Sequence, residues 1–296
     1  MVKHLKWLLT LHYLLYFSIS GQTVSVDQAS DSLIMDSGPV VGSESGNTNN
    51  VPPEYPFQLG EKLEFEIKYG FIKAGDATME VVDTVTYLGR KSILIQTTAK
   101  SRSSFDMFFK VRDTVQSYVD WHRFISLSFI KKLREGGYFY DLYSQYVPDE
   151  NRVNVVWVRY HDENFRVKKQ GSLELSIPDE TYDVLASLYK IRMLDLNVDS
   201  SVFITNHDNR KIYDLKVEVL KREVVKVPAG KFLCLKLEPK LKGEAIFKQK
   251  GRLWVWVTDD EYKIPVKMSS KVAVGSISTV LKRMKNVPEY LPSKIK

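Results

Sequence analysis

The chain lacks the features that most directly identify an enzyme or a metal protein. Cys234 is the only cysteine among 296 residues, which excludes a disulfide within one chain. It lies in an apolar stretch, so we expect a buried, unreactive thiol. Paired-cysteine and His-Glu-x-x-His metal motifs and the Gly-x-Ser-x-Gly nucleophile motif are absent. We therefore predict no catalytic residue, no metal site and no cofactor.

Long apolar runs are also missing, apart from a short one near the start. Trp7 to Phe17 is apolar except for Thr10 and His12, and it is shorter than the roughly 20 residues that span a bilayer. Lys3 and Lys6 precede this run, and small residues follow it at positions 18–21. This order is typical of a secretory signal peptide. We expect residues 1–21 to be removed and the mature chain to be exported, periplasmic and soluble; a retained membrane anchor is the alternative.

Charge is modest and mixed. The formal net charge is +7, and loss of Lys3 and Lys6 with the signal lowers it to about +5. The densest basic group, at positions 131–134, is followed directly by Glu135. No basic helix or nucleic-acid module is present, so we expect no nucleic-acid partner. Weak attraction to anionic lipid headgroups or acidic glycans remains compatible with this charge.

Composition divides the chain into three further segments. Residues 22–54 are rich in Ser, Asp, Gly and Asn and contain no Lys or Arg, which predicts a disordered linker. Residues 55–287 carry strand patterns throughout and predict one β-rich domain. Residues 288–296 are expected to be a peripheral C-terminal tail.

Alternation with a period of two dominates the predicted domain. Leu63, Phe65, Ile67 and Tyr69 alternate with charged residues, as in a strand with one buried face. Similar strands recur at short intervals and are separated by Gly, Pro and Asp turns. The fold class that this predicts is mainly β, with curved antiparallel sheets in a barrel-like or half-barrel-like arrangement.

One segment departs from this period. After Pro178, residues at about 179–194 are apolar over well more than half of a helical surface. We predict one central α-helix there, packed on the concave side of the sheet. Arg192 is a charge on this apolar helix, and we interpret it as half of a structural ion pair.

Several strands are apolar on both faces, which is the strongest functional signal in the sequence. In Leu253-Trp254-Val255-Trp256-Val257 neither face is polar. Because an antiparallel sheet with one wet face alternates, both faces must be covered. A second layer with the helix is one explanation, and a cavity for an apolar ligand is the other. The candidate lining residues are Trp157, Leu185, Tyr189, Trp254 and Trp256.

Other chemistry-bearing residues favour structural roles. His122, His161 and His207 lie next to polar turn residues, and no two of them have metal-ligand spacing. Asp259 and Asp260 form a carboxylate pair that would suit a hydrolase. Aspartates in hairpin loops also cap their own backbone, which is the more ordinary use.

An ordered set of short motifs carries a resemblance to a known family. In order and spacing the set resembles bacterial domain-of-unknown-function family 3108, over roughly residues 57–285. The resemblance implies an exported, β-rich protein without an established activity, and it supplies no catalytic residues. The motifs are Gly60–Leu63, Tyr69–Gly70, Ala74–Ala77, Ile177–Pro178, Asp183–Tyr189, Arg192, Val227–Phe232, Trp256–Asp260, Ile264–Val266 and Gly275–Ser276.

Two functions from different classes remain open, with a hydrolase as a weaker third. The first is a periplasmic, non-enzymatic binding or carrier module for an apolar or amphipathic ligand such as a lipid, by analogy with half-barrel lipoprotein carriers. The second is an envelope structural or assembly factor that contacts other proteins. In the second case Tyr138, Phe139 and Tyr140 would form an exposed aromatic patch.

Overall fold

The computed structural model describes residues 55–241, 252–271 and 275–296. The expected signal peptide, residues 1–21, and the expected linker, residues 22–54, lie outside the described residues.

The described chain is mainly β, as predicted, and its strands form one continuous curved sheet. The order is β8-β7-β6-β5-β4-β3-β2-β1-β15-β14-β13-β12-β11-β10-β9, and β16 pairs with β12 outside this order. Neighbours are antiparallel, apart from the short parallel pair β9–β10. The strands are β1 (Lys62–Tyr69), β2 (Ile72–Tyr87), β3 (Arg90–Ser101), β4 (Arg112–Asp120), β5 (Ser126–Glu135), β6 (Tyr138–Val147), β7 (Arg152–Tyr160), β8 (Val167–Ser176), β9 (Tyr182–Asp183), β10 (Ser201–Asp208), β11 (Lys211–Val227), β12 (Gly230–Leu241), β13 (Leu253–Thr258), β14 (Pro265–Lys271), β15 (Ser276–Lys285) and β16 (Lys294–Ile295).

The alternation in the sequence produces the inner face of this sheet. Leu63, Phe65 and Ile67 of β1 are buried, Lys62 and Glu64 are half-buried, and Glu66 is buried in ion pairs with lysines. Successive side chains of a strand point to opposite faces, so a period of two buries one face. The predicted strand at Leu63–Tyr69 is therefore confirmed.

The sheet curls so that its β9 end packs, through side chains, against β4 and β5 within the sheet. Asp183 of β9 accepts hydrogen bonds from Ser117 of β4 and Ser126 of β5, both at 2.6 Å. Lys131 of β5 and Asp208 of β10 form a buried ion pair at 2.9 Å. These contacts join β9 and β10 to β4 and β5 without strand pairing, so the result is an open, barrel-like sheet.

The described residues contain two α-helices, so the prediction of a single helix is not confirmed. The first, α1 (Ser103–Asp106), lies between β3 and β4 and was not predicted. The second, α2 (Val184–Arg192), falls inside the predicted segment 179–194 but begins later. The reason is that Tyr182 and Asp183 pair with β10 as β9, which leaves Asp183 to cap the helix.

The last residues differ from the expected peripheral tail. Leu291 is buried in the core, and β16 pairs with the start of β12. The Ser293 N–H also donates to the Asp260 carboxylate at 3.4 Å. Residues 288–296 therefore cover one end of the sheet.

Candidate ligand-binding site

A hollow lies between α2 and the inner face of β10–β13. The hollow is open to solvent at its mouth, and its empty volume up to and including the mouth is about 520 Å³. The free space inside it is narrow, which suits a slender chain better than a bulky ring. The lining is almost entirely apolar. It comprises Val184, Ser187, Leu188, Ile191, Asn206, Tyr213, Leu215, Val217, Leu237, Pro239, Leu253 and Val255.

One stripe of α2 supplies the helical wall of the hollow. Val184, Ser187, Leu188 and Ile191 follow the spacing that places side chains on one face of a helix. The start of α2 is fixed by Asp183, whose Oδ1 accepts from the backbone N–H groups of residues 185 and 186 at 2.9 Å. An aspartate cap of this kind satisfies amide donors that the first turn leaves unpaired. The cap therefore sets the position of the wall.

Asn206 is the main polar group of the hollow. Its Nδ2 donates to the Ser187 hydroxyl at 2.6 Å, which ties β10 to α2. Its Oδ1 is buried and has no hydrogen-bond partner. An unpaired buried acceptor costs about 1–3 kcal/mol, so a ligand that donates a hydrogen bond here would recover part of that cost. Burial also raises the pKa of Tyr213, at the edge of the hollow, well above its usual range.

A buried polar cluster adjoins the hollow through β10. His207 Nδ1 lies 2.8 Å from the Tyr146 hydroxyl, and its Nε2 has no hydrogen-bond partner. Burial lowers the pKa of His207 to about 4, although Asp208 acts in the opposite direction. The prediction of a surface histidine is wrong for His207, because the sequence did not reveal strand β10 or its contact with β6.

The tryptophans of β13 lie on the other side of the sheet from the hollow. Leu253 and Val255 point inward to its lining, so Trp254 and Trp256 point outward. Lys236 lies 4.8 Å from the ring centre of Trp254 and 5.0 Å from that of Trp256. Lysine stems can cover apolar surface while the charge stays in water.

Further cations complete this outer layer. Lys267 lies 4.8 Å from the ring centre of Trp256, and Arg252 lies 5.3 Å from that of Trp254. The Trp256 indole N–H also donates to Glu223 at 2.6 Å. Long basic side chains, rather than a second sheet, therefore cover this apolar face. This explains why the strand is apolar on both sides.

The other three candidate residues lie elsewhere: Leu185 and Tyr189 are buried, and Trp157 is half-buried. Leu185 and Tyr189 occupy a different stripe of α2, and the Tyr189 ring packs edge-on against Phe57 with centroids 5.0 Å apart. Trp157 of β7 covers Gly171 of β8, where an added Cβ would lie 2.8 Å from the indole. Tyr189, Leu185 and the three tryptophans do not line the hollow.

The carboxylates proposed for a hydrolase have local partners. Asp260 Oδ1 accepts from the Thr258 hydroxyl at 2.7 Å and from the N–H of Tyr262 at 3.1 Å. Asp259 forms an ion pair with Arg222 at 2.6 Å. Both therefore hold the β13–β14 turn. Within the described ranges, no group of three or more His, Cys, Asp or Glu residues is placed to hold a metal ion.

The aromatic patch expected for an assembly factor is largely covered. Tyr138, Phe139 and Tyr140 are each half-buried on β6. Arg159 lies 4.0 Å from the ring centre of Tyr138. Cys234 is buried and free, as predicted, and burial raises the pKa of its thiol to about 12.

Comparison with known proteins places the chain in a family. The profile described as "Protein of unknown function (DUF3108)" matches residues 64–282. The chain belongs to this family. The match confirms the resemblance seen in the sequence, and a search of curated proteins finds no match to the chain.

Two solved structures are similar to this DUF3108 chain, and the first agrees with its barrel-like fold. One is a β-barrel-like protein of domain-of-unknown-function family DUF1849 from Brucella abortus, at 10% identity and a TM-score of 0.50. The alignment covers 78% of this chain and 98% of that one. A second, from Bacteroides fragilis, has a YmcC-like fold, 12% identity and a TM-score of 0.35, with 78% and 98% covered. None of the helices in the described segments is long and apolar enough to cross a membrane.

Proposed function

We propose that this DUF3108 protein is an exported, non-enzymatic carrier or binding module for an amphipathic ligand with a slender apolar chain, such as a lipid. The observation that supports the proposal is the hollow between α2 and β10–β13, with apolar walls and one unpaired acceptor. A site of this kind, with few polar groups on an apolar lining, is typical of apolar-ligand pockets.

The shape and chemistry of the hollow narrow the ligand. Leu188 and Ile191 on the helix face Leu237 and Val255 on the sheet, and an alkyl chain between them would bury apolar surface worth roughly 0.8 kcal/mol per CH₂. Asn206 Oδ1 would accept from a hydroxyl or amide N–H of the ligand. The proposed ligand therefore combines an alkyl chain with a hydrogen-bond donor.

Filling the hollow tests the proposal. Leu188→Trp would place an indole in the space between helix and sheet. Binding of cis-parinaric acid, a fluorescent fatty acid, is measured by titration, and lipids that co-purify are identified by solvent extraction and mass spectrometry. We expect Leu188→Trp to weaken binding by at least about tenfold, which corresponds to about 1.4 kcal/mol.

The matched control lies on the outer face of the same sheet. Trp254→Leu changes a large aromatic residue that does not line the hollow, and we expect binding to stay as in the unchanged protein. Equal binding by both variants would contradict the proposal. Loss of binding in Trp254→Leu alone would move the site to the outer tryptophans.

The alternative, an assembly factor that contacts envelope proteins, has less support. It needs an exposed aromatic surface at Tyr138, Phe139 and Tyr140, and these residues are half-buried. The most exposed apolar side chains of the described residues lie outside this patch.

A further inference from the structure

Two loops hold large apolar side chains out in water. Phe71, in the turn between β1 and β2, is 93% exposed. Met107 and Phe108, just after α1, are 86% and 68% exposed. Single exposed apolar residues are ordinary, but several together at one place mark an interaction surface. We call this the apolar end, defined by Phe71, Met107 and Phe108.

The two loops lie at the same end of the barrel. Gly75 near the start of β2 pairs with Ser101 at the end of β3. The Arg102 N–H donates to the Ala74 carbonyl at 2.9 Å. The Glu66 carboxylate lies 2.8 Å from Lys73 and 3.6 Å from the Arg102 guanidinium. Backbone and ion-pair contacts therefore fix the loops to each other.

The α1 loop is anchored, so its exposed residues are presented rather than loose. Phe109 is buried, and Phe105 packs against the same core. Asp106 forms an ion pair with Arg112 at 2.6 Å. With Phe105 and Phe109 turned inward, Met107 and Phe108 between them face solvent.

Cations surround the apolar end. Lys100 and Lys110 are exposed beside the α1 loop, and Lys73, exposed beside Phe71, also pairs with Glu66. A protein binds an anionic membrane surface when its apolar side chains enter the acyl region and nearby lysines reach the headgroup phosphates. The tips also protrude from separate turns, which fits a fluid surface better than a shaped protein partner.

The hollow lies towards the same end. Leu253 of its lining pairs with Ser270, and Ser270 pairs with Ile277. Ile277 pairs with Tyr69, and Tyr69 pairs with Ile72. This cross-strand row runs from Leu253 to the turn that carries Phe71, so both lie towards the same ends of their strands.

We propose that the apolar end docks on a bilayer with anionic headgroups and inserts Phe71, Met107 and Phe108 into its interface. The docking surface goes beyond the proposed function; only its use in ligand transfer rests on that function. A carrier docked in this way would hold the end of the barrel near its hollow against the source of its ligand.

Vesicle binding tests the docking surface. The protein is purified after export, in the form that the expressing bacterium produces, and sedimented with vesicles of phosphatidylethanolamine and phosphatidylglycerol. We expect Phe71→Ser and Phe108→Ser each to weaken binding by about tenfold, since each removes the burial of one aromatic side chain. Vesicles of phosphatidylcholine alone should bind less, because the lysines then lack an anionic partner.

The matched control is at the opposite end of the barrel. Leu88, in the turn between β2 and β3, is 65% exposed, and Leu88→Ser should leave vesicle binding unchanged. A second readout is Phe108→Trp, whose added tryptophan emission should shift to shorter wavelength with vesicles. Circular dichroism melting confirms that each variant is folded.

The proposal is overturned if the unchanged protein does not sediment with the anionic vesicles. It is equally overturned if Leu88→Ser loses as much binding as the tip variants. Leu188→Trp separates the two proposals, since it should weaken fatty-acid binding by at least about tenfold and leave sedimentation unchanged.

Discussion

Arg192 and Glu61 form a buried ion pair with two hydrogen bonds. Nη1 donates to Oε1 at 2.6 Å, and Nη2 donates to Oε2 at 2.9 Å. Nε donates to the carbonyl oxygen of Tyr262 at 3.0 Å, and Nη2 also donates to that of Pro56 at 3.2 Å. The pair joins the end of α2 to the start of β1 and to the β13–β14 turn. It therefore holds the helix, and with it one wall of the hollow, against the sheet.

Removing one partner of this pair should be strongly destabilising. Glu61→Gln leaves the Arg192 charge buried without its counter-charge, and we expect a loss of about 3–5 kcal/mol in the free energy of unfolding. Urea denaturation followed by circular dichroism measures this loss.

The control for this prediction is an ion pair at the surface. Glu64 and Arg283 lie 2.7 Å apart, and the arginine is largely exposed. Because solvent screens such a pair, Glu64→Gln should cost less than about 1 kcal/mol. Equal losses for Glu61→Gln and Glu64→Gln would show that burial does not govern the interaction.

The cap at Asp183 gives a second prediction. Asp183→Ala removes the acceptor for two amides of α2 and for the hydroxyls of Ser117 and Ser126. We expect a loss of about 2 kcal/mol or more in stability, since a cap and buried hydrogen bonds are lost together.

The matched variant is Asp183→Asn, which keeps an acceptor for the two helix amides. Its loss should be smaller than that of Asp183→Ala, because asparagine is also a good cap. If fatty-acid binding weakens in Asp183→Ala while Asp183→Asn retains it, the cap also sets the geometry of the hollow. If both variants unfold at the same urea concentration, capping is not the source of the stability.

The pH dependence of stability gives a third prediction, centred on Glu135. Burial raises the pKa of Glu135 to about 7, while Asp113 and Lys131 lower it in part. The folded protein then holds a proton that the unfolded chain releases near pH 4–5. This contribution to stability is present at low pH and is lost as pH rises to about 7, by roughly 3 kcal/mol at most.

His207 acts in the opposite direction over a similar range. Its pKa of about 4 in the folded protein lies below the ordinary value, so the unfolded chain takes up a proton first as pH falls. Stability from a neutral His207 is present above about pH 6.5 and is lost towards pH 4.

Single substitutions should therefore separate the contributions of Glu135 and His207 to the pH dependence of stability. Relative to the unchanged protein, Glu135→Gln should lose more stability on acidification, and His207→Gln should lose less. Thermal melting between about pH 4 and 7 measures both. Parallel curves for the two variants would contradict the assignment.

The local sequence pattern was sufficient to predict the mainly β fold class and the structural roles of several residues. Leu63, Phe65 and Ile67 predicted a strand with one buried face, because side-chain period follows from backbone geometry alone. The apolar helix that carries Arg192 predicted a buried ion pair, since a charge in that setting needs a partner. These features depend on near neighbours, which a sequence displays.

The site itself could not be predicted, because it depends on which distant strands become neighbours. Asn206 and Ser187 meet only because β10 lies beside α2, and β10 was not evident in the sequence. Inward alternation of Ile204, Asn206 and Asp208 was the one available signal for that strand.

The sequence by itself determined a β-rich chain with one apolar helix, a buried thiol and membership in the DUF3108 family. Tertiary structure alone decided that Trp254 and Trp256 face outward beneath lysines and that Leu188 faces a hollow. The physical reason is that an apolar side chain gains the same free energy on either face of a sheet, provided something covers it. Only the curl of the sheet settles whether the cover is a helix or the stem of a lysine.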